Sequence, residues 1–296
     1  MKSIFLTGGS GFVGSNLIKF LRSSYNFLIY DKKVIPEKIQ DVVIHLAGKA
    51  HDLKNVSNSS DYYKVNTELT KDVFEVFLAS NAKVFITLSS VKAVADEVDD
   101  KLTEDVTPNP ITHYGKSKLL AEKYILSKEI PEGKRVYILR PCMIHGPGNK
   151  GNLNLLYKLV SIGLPWPLGA FKNKRSFCSI DNLLFIIKEL IEREDIPSGI
   201  YNVADNEPIS TNSLISLIAK SINKKCKIFN ISPRIINLIA KFGDIIKLPL
   251  NSERLGKLTQ NYIVSNQKLL NAIGKELPVN AIDGMKKTLR SFNKIL

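Results

Sequence analysis

Apolar residues in the first half of the chain come in short runs, and most runs are followed by a stretch in which they recur every three or four positions. Ser3 to Thr7 precedes Gly11 to Leu21, and Phe27 to Tyr30 follows. Val42 to Leu46 precedes Tyr62 to Ala79, Val84 to Leu88 precedes Tyr114 to Leu126, and Val136 to Leu139 comes last. Short apolar runs read as buried strands, and a three-to-four spacing reads as one face of a helix. Their alternation predicts βαβ units, hence an α/β fold with a doubly wound parallel sheet of Rossmann type. The rhythm breaks near residue 145, where Gly146-Pro147-Gly148 and Gly163 to Gly169 predict loops leaving the sheet. The expected division is a nucleotide-binding domain over 1–167 and a smaller substrate domain over 168–296, with some segments interleaved. A capped helix is expected from Ser210 or Thr211 through Ile222. Residues 230 to 248 form a second amphipathic stretch, with Ile235, Ile236, Leu238, Ile239, Phe242, Ile245, Ile246 and Leu248 among Arg234, Lys241 and Lys247. Core or subunit packing is the favoured reading of that stretch, and a membrane surface or partner is the alternative.

Composition adds limits. At 296 residues and 44% hydrophobic, the chain is long enough for one large domain with a smaller companion. No run approaches the roughly 20 apolar residues of a membrane span. The opening Met1 to Thr7 reaches glycines too soon for a signal-peptide core, so a cytoplasmic location is expected. Cys142, Cys178 and Cys226 have no C-x-x-C spacing, which argues against a disulfide framework or a zinc site. The net charge of +14 is spread over scattered lysines, which predicts a solvated basic surface and no nucleic-acid arm. That surface suits anionic substrates, or an anionic membrane where glycans are assembled.

Thr7-Gly8-Gly9-Ser10-Gly11-Phe12-Val13-Gly14 follows a predicted strand and opens a predicted helix. Glycines there permit a tight turn and close approach of the backbone to a pyrophosphate, which the helix N-terminus attracts. Asp31 ends the next strand, at the separation expected of an acid that hydrogen-bonds an adenosine ribose. Its carboxylate would repel a 2′-phosphate, so NAD is expected over NADP, although Lys32 and Lys33 follow and could offset it. Tyr114 and Lys118 lie four apart, on one helical face. An adjacent ammonium is expected to lower the phenol pKa, so that Tyr114 can exchange a proton with a substrate hydroxyl while hydride moves to or from nicotinamide. Ser89-Ser90 closes the strand Val84 to Leu88, where a hydroxyl could bind the same oxygen.

These features together resemble the extended short-chain dehydrogenase/reductases, the group of the nucleotide-sugar epimerases, dehydratases and reductases. The resemblance rests on the glycine turn, Asp31, His45-Leu46-Ala47-Gly48, Val65-Asn66-Thr67, Leu88-Ser89-Ser90, Tyr114 with Lys118, and Leu139-Arg140-Pro141 with Gly146-Pro147-Gly148. It implies Ser90, Tyr114 and Lys118 as catalytic residues. It implies Gly8, Gly11, Phe12, Val13, Gly14, Asp31, Leu46, Ala47, Gly48, Asn66, Ser89, Tyr114, Lys118 and Pro141 around the cofactor. Lys49, Ser90, Asn154, Arg175 and Arg254 are implied on the substrate side, the two arginines gripping a nucleotide diphosphate. His45 and His51 lack acidic or thiol companions, and no metal is expected.

The family's dehydratases resemble Thr-Asp-Glu at the serine position, but this chain has Ser90-Val91-Lys92 and lacks that pair of carboxylates. The expected reaction is therefore at C4 of a UDP-linked hexose or N-acetylhexosamine, an epimerisation first and a 4-keto reduction in bacterial surface-glycan synthesis as the alternative. Val94-Ala95, His145 and Lys257 depart from the family pattern and leave the sugar open. A homodimer is expected by resemblance. A protein that binds NAD without chemistry is the rival from another class, opposed by intact Tyr114 and Lys118.

Overall fold

A computed structural model describes residues 1–31, 35–36, 39–49, 58–149, 151–246 and 251–292. The elements of its first half are β1 (Lys2–Thr7), α1 (Phe12–Leu21), β2 (Tyr25–Ile29), β3 (Val42–His45), α2 (Ser59–Tyr63), α3 (Leu69–Ala79), β4 (Val84–Leu88), β5 (Lys101–Leu102), α4 (His113–Leu126) and β6 (Arg135–Pro141). There follow β7 (Met143–His145), α5 (Asn152–Ser161), β8 (Phe177–Ser179), α6 (Ile180–Glu192), β9 (Gly199–Val203), α7 (Thr211–Ser221), α8 (Pro233–Ile246), α9 (Ser252–Thr259), β10 (Ile263–Val264), α10 (Gln267–Ile273) and α11 (Ala281–Phe292).

Six strands pair in the order β2-β1-β3-β4-β6-β9, all parallel. The order reverses between β1 and β3, and a parallel sheet offers its ligand crevice at such a switch point, beyond the carboxyl ends of the strands. The strands are apolar on both faces because helices cover both. Phe5, Val43 and Phe85 pack against Phe74 and Phe77 of α3, while Ile4, Ile44 and Ile86 pack in the cluster that includes Leu183 and Ile187 of α6. The loss of rhythm after residue 145 is only partial: α6 and β9 return to the main sheet, β9 pairing with β6 from Tyr137↔Gly199 to Pro141↔Val203. A separate apolar cluster joins Leu153 and Tyr157 of α5, Ile215 of α7, Ile236 of α8, Leu255 of α9 and Met285 of α11. The expected Ser210 cap accepts a hydrogen bond from the Ser213 N–H and starts α7.

Two expectations change in detail. The helix expected from Tyr62 to Ala79 is interrupted by a π-helical turn at Lys64–Glu68, from which the buried Asn66 reaches the Lys49 backbone. In the stretch from 230 to 248, only Ile236, Ala240 and Gly243 of α8 are buried, and the second apolar stripe of the helix faces outward.

Candidate active site

Gly8 has φ +72°, and a Cβ there would come within 2.6 Å of the Ala47 nitrogen, so the β1 turn and the segment after β3 meet at glycine distance. The Gly11 N–H bonds the Gly8 carbonyl at 3.0 Å, and Gly11 caps α1 with extended backbone. A Cβ on Gly14 would strike the Gly8 carbonyl, so α1 packs onto its own entering turn. Phe12 and Val13 fill its first turn, half-buried. This leaves a helix N-terminus facing open space at the sheet's switch point, the form that receives a pyrophosphate. Asp31 lies exposed just past β2. Lys32, Lys33 and His51 lie outside the described residues.

Thr7 anchors the segment after β3: its hydroxyl accepts the Ala47 N–H at 3.1 Å and contacts Nδ1 of His45 at 2.8 Å. Nε2 of His45 meets Thr70 at 2.9 Å, and burial, aided by the charge of Lys118, drops the imidazole pKa to about 3. This histidine is therefore a neutral structural bridge. Leu46 and Ala47 are half-buried. The fully buried Asn66 accepts the Lys49 N–H at 2.8 Å and donates to the Lys49 carbonyl at 3.1 Å and to Ser117 Oγ at 3.0 Å. Gly48 is thus held against Lys118, whose Nζ would stand 3.1 Å from a Cβ added there. The Lys49 ammonium pairs with Asp61 at 2.6 Å.

Ser90 follows β4 and caps a short turn, its Oγ accepting the Lys92 N–H at 3.2 Å. Thr112 caps α4 by accepting the Gly115 N–H, so Tyr114 stands in the first turn and hydrogen-bonds Ser90. Gly115 sets that spacing, because a Cβ there would collide with the Lys92 carbonyl. Lys118, one turn on, donates to the Leu88 carbonyl at 2.8 Å, and burial lowers its pKa to about 8 against the opposing charge of Glu122. The expected lowering of the Tyr114 phenol is overturned. Burial of the ring pushes its pKa up, the Ser90 hydrogen bond pulls down, and nearby Tyr62 adds to the rise. Desolvation of the phenolate sets the direction, and the Lys118 ammonium is engaged by the Leu88 carbonyl.

Ser89 takes a different place from its neighbour. Its hydroxyl donates to Glu122, which holds Arg140 through Nε at 2.9 Å and Nη2 at 2.6 Å. Glu122 and Arg140 are both buried, so they form a buried ion pair beneath the ends of β4 and β6, beside Pro141. Neither role was read from the sequence, although Glu122 lies four residues beyond Lys118 on the same helical face.

On the substrate side, Lys92 occupies the position where a dehydratase resembles a carboxylate. Its ammonium donates to the Asp96 carbonyl at 2.7 Å and lies 4.3 Å from the Tyr262 ring centroid. Burial lowers its pKa to about 8, with the Asp96 charge opposing. The Arg175 guanidinium lies 5.8 Å from the same ring and donates to the Lys257 carbonyl at 3.0 Å, at the end of α9. Arg254 lies exposed in the first turn of α9. Asn154, in the first turn of α5, donates to the Asn149 carbonyl at 3.1 Å, while its buried Oδ1 has no partner among the described residues.

A glycine turn at the switch point, with a Ser-Tyr-Lys set above it, defines a nicotinamide-dependent enzyme of the short-chain dehydrogenase/reductase class. The family model for the NAD dependent epimerase/dehydratase family matches residues 31–204, and the chain belongs to that family. It is 29% identical over 320 residues to a UDP-glucose 4-epimerase of Vibrio cholerae, covering 98% of this chain and 95% of the relative. It is 30% identical over 245 residues to N-acetyl-alpha-D-glucosaminyl-diphospho-ditrans,octacis-undecaprenol 4-epimerase of Escherichia coli O157:H7, covering 75% of this chain and 73% of the relative. The structure of UDP-glucuronic acid 4-epimerase from Bacillus cereus in complex with NAD has the same fold, with a TM-score of 0.74, 21% identity and 99% of each chain covered. The chain is an enzyme and its cofactor is NAD, which the glycine cradle and the acid after β2 fit.

Proposed function

We propose that the protein epimerises C4 of a UDP-linked hexose or N-acetylhexosamine. The observation that carries this reading is Tyr114, hydrogen-bonded to Ser90 and one turn before the buried Lys118, with the Lys92 cation where elimination would need a carboxylate. The two 4-epimerases among the relatives support it.

Gly8, Gly11 and Gly14 with Phe12 and Val13 would receive the pyrophosphate of NAD, Asp31 its adenosine ribose, and Leu46 to Gly48, Asn66 and Pro141 the rest of the cofactor. Bound there, NAD supplies reversible acceptance of hydride from the sugar carbon. Ser90 would hydrogen-bond the C4 oxygen, and Tyr114, as phenolate, would take the hydroxyl proton as hydride leaves and return that proton when hydride comes back, so the cycle balances on one proton. Burial favours the protonated phenol, the form that donates, and the cation needed beside the phenolate form would come from Lys118, one turn on. Lys49, Asn154, Arg175 and Arg254 hold the nucleotide side, with the unmatched Asn154 Oδ1 and the Arg175 fork free to exchange protein contacts for ligand ones. Asn152 opens the same helix. A nucleotide domain over 1–167, a substrate domain over 168–296, a homodimer, and work in the cytoplasm on polysaccharide precursors beside the membrane complete the reading.

The test is incubation of purified protein with UDP-GlcNAc and UDP-Glc, resolving the products. Interconversion with their 4-epimers, without consumption of added nicotinamide, is the expected result. No interconversion, with NAD(P)H consumed on a 4-keto sugar, would make it a reductase.

A further inference from the structure

We infer that the outer face of α8, with the segment before it, docks on an anionic lipid bilayer. This concerns a surface apart from the proposed active site, and it stands whether or not the sugar chemistry is an epimerisation.

Along α8, Ile236, Ala240 and Gly243 recur at helical spacing and seat the helix on the substrate half. A second stripe, Ile235, Leu238, Ile239, Phe242, Ile245 and Ile246, recurs at the same spacing on the adjoining face and lies in the open. Phe242 is 61% and Ile245 76% exposed. One buried row seats a surface helix, so the second row has no use in folding this chain. A contiguous exposed apolar stripe of this kind marks an interaction site.

Exposed apolar residues also stand in the segment that leads into α8. Residues 226–230 lead into α8 and bridge the loop after α5, through Trp166↔Ile228 and Leu168↔Asn230. Ile228 and Phe229 are exposed there, as are Ile162 and Leu164 in the loop after α5.

Charge decides the occupant. Lys220, Lys224, Lys225, Lys227, Arg234 and Lys241 stand along residues 220–246 against a single acid, Asp244. That acid is turned to the start of α9, accepting from the Ser252 N–H at 2.9 Å and its hydroxyl at 2.6 Å. At 100° per residue, Arg234 and Lys241 fall at the border between the polar face and the exposed apolar stripe, where long basic side chains lay their stems on hydrocarbon and keep their charges at headgroup level. A second copy of the chain fits poorly. Two-fold pairing through this face would gather the cations of both copies in one interface, with Asp244 the lone acid of each segment, whereas an anionic bilayer offers hydrocarbon for the stripe and phosphates for the cations. No described helix is long and apolar enough to cross the membrane, so the contact is interfacial.

The test is co-sedimentation of the NAD-bound protein with vesicles of equal parts phosphatidylglycerol and phosphatidylcholine, and with phosphatidylcholine vesicles alone. Binding is expected on the mixed vesicles, at least about tenfold weaker on phosphatidylcholine and in high salt. The double variant Phe242→Ser, Ile245→Ser should lose binding by a similar factor, with its melting temperature and bound NAD unchanged. In a Phe242→Trp variant, brominated lipid should quench the added fluorescence. The inference is overturned if the wild type stays in solution with anionic vesicles or if the serine variant binds as well as the wild type. It is also overturned if the serine substitutions convert a dimer to a monomer while leaving vesicle binding intact.

Discussion

The two walls of the crevice are built differently. On the cofactor side, each polar side chain is backed by another held in place by backbone: Asn66 grips both ends of the Lys49 peptide, Lys118 is fixed on Leu88, and Ser89 rests on the Glu122–Arg140 pair. On the other wall, Arg175 leans on helix-end carbonyls, Arg254 stands exposed, and Asn154 keeps a buried oxygen with no partner among the described residues. The first arrangement places reacting groups before anything binds, and preorganisation of that kind lowers a barrier. The second holds groups by contacts that a ligand can replace. One wall is thus cross-braced by internal hydrogen bonds, and the other keeps spare bonding capacity that the proposed function would use for recognition.

The strongest way to break this contrast is at Tyr114. Tyr114→Phe should reduce kcat about a thousandfold while NAD remains bound, as expected of a lost general acid–base; single-turnover rates and cofactor release on denaturation would measure both. Removing the support beneath the strand ends comes next. Glu122→Ala leaves Arg140 buried without a counter-charge and should cost about 3–5 kcal/mol, read as a fall of roughly ten degrees in melting temperature. On the other wall, Arg175→Lys should leave melting unchanged and raise KM about tenfold with little change in kcat, because a lysine lacks the guanidinium fork. A rise in KM accompanied by a fall in stability would show that Arg175 serves the fold instead.

The smallest effect concerns pH. Lys118 and Lys92 titrate near 8 in the folded protein against 10.5 as free side chains. Between those values the unfolded chain binds more protons than the native one, so stability should rise as pH increases through about 8. The melting temperature is expected to climb from pH 7 to 9, and Lys118→Met should flatten that slope. An unchanged slope in the variant would mean that Lys118 keeps its charge through this range.

Much of the cofactor wall was legible in the chain because its signals are local. The glycines from 8 to 14 answer to one turn, and Tyr114 with Lys118 to one helical face. The return of β9 to the sheet was missed because five residues beginning at a glycine give little periodicity. The support beneath Ser89 was missed because Arg140 meets Glu122 from a separate strand, and a single buried arginine leaves no pattern.

Spacing along the chain thus carries the α/β alternation, the glycine turn before α1 and the placing of Tyr114 and Lys118 on one helical face, since each depends on residues a few positions apart. Tertiary packing decided the rest. The Tyr114 phenol moved opposite to the expected direction because desolvation depends on everything packed around it. The α8 pattern allowed either face to be buried, and only its seating on the substrate half left one apolar stripe to the solvent. Burial comes from the whole molecule, and it sets both the proton affinity of a side chain and the face that a helix leaves uncovered.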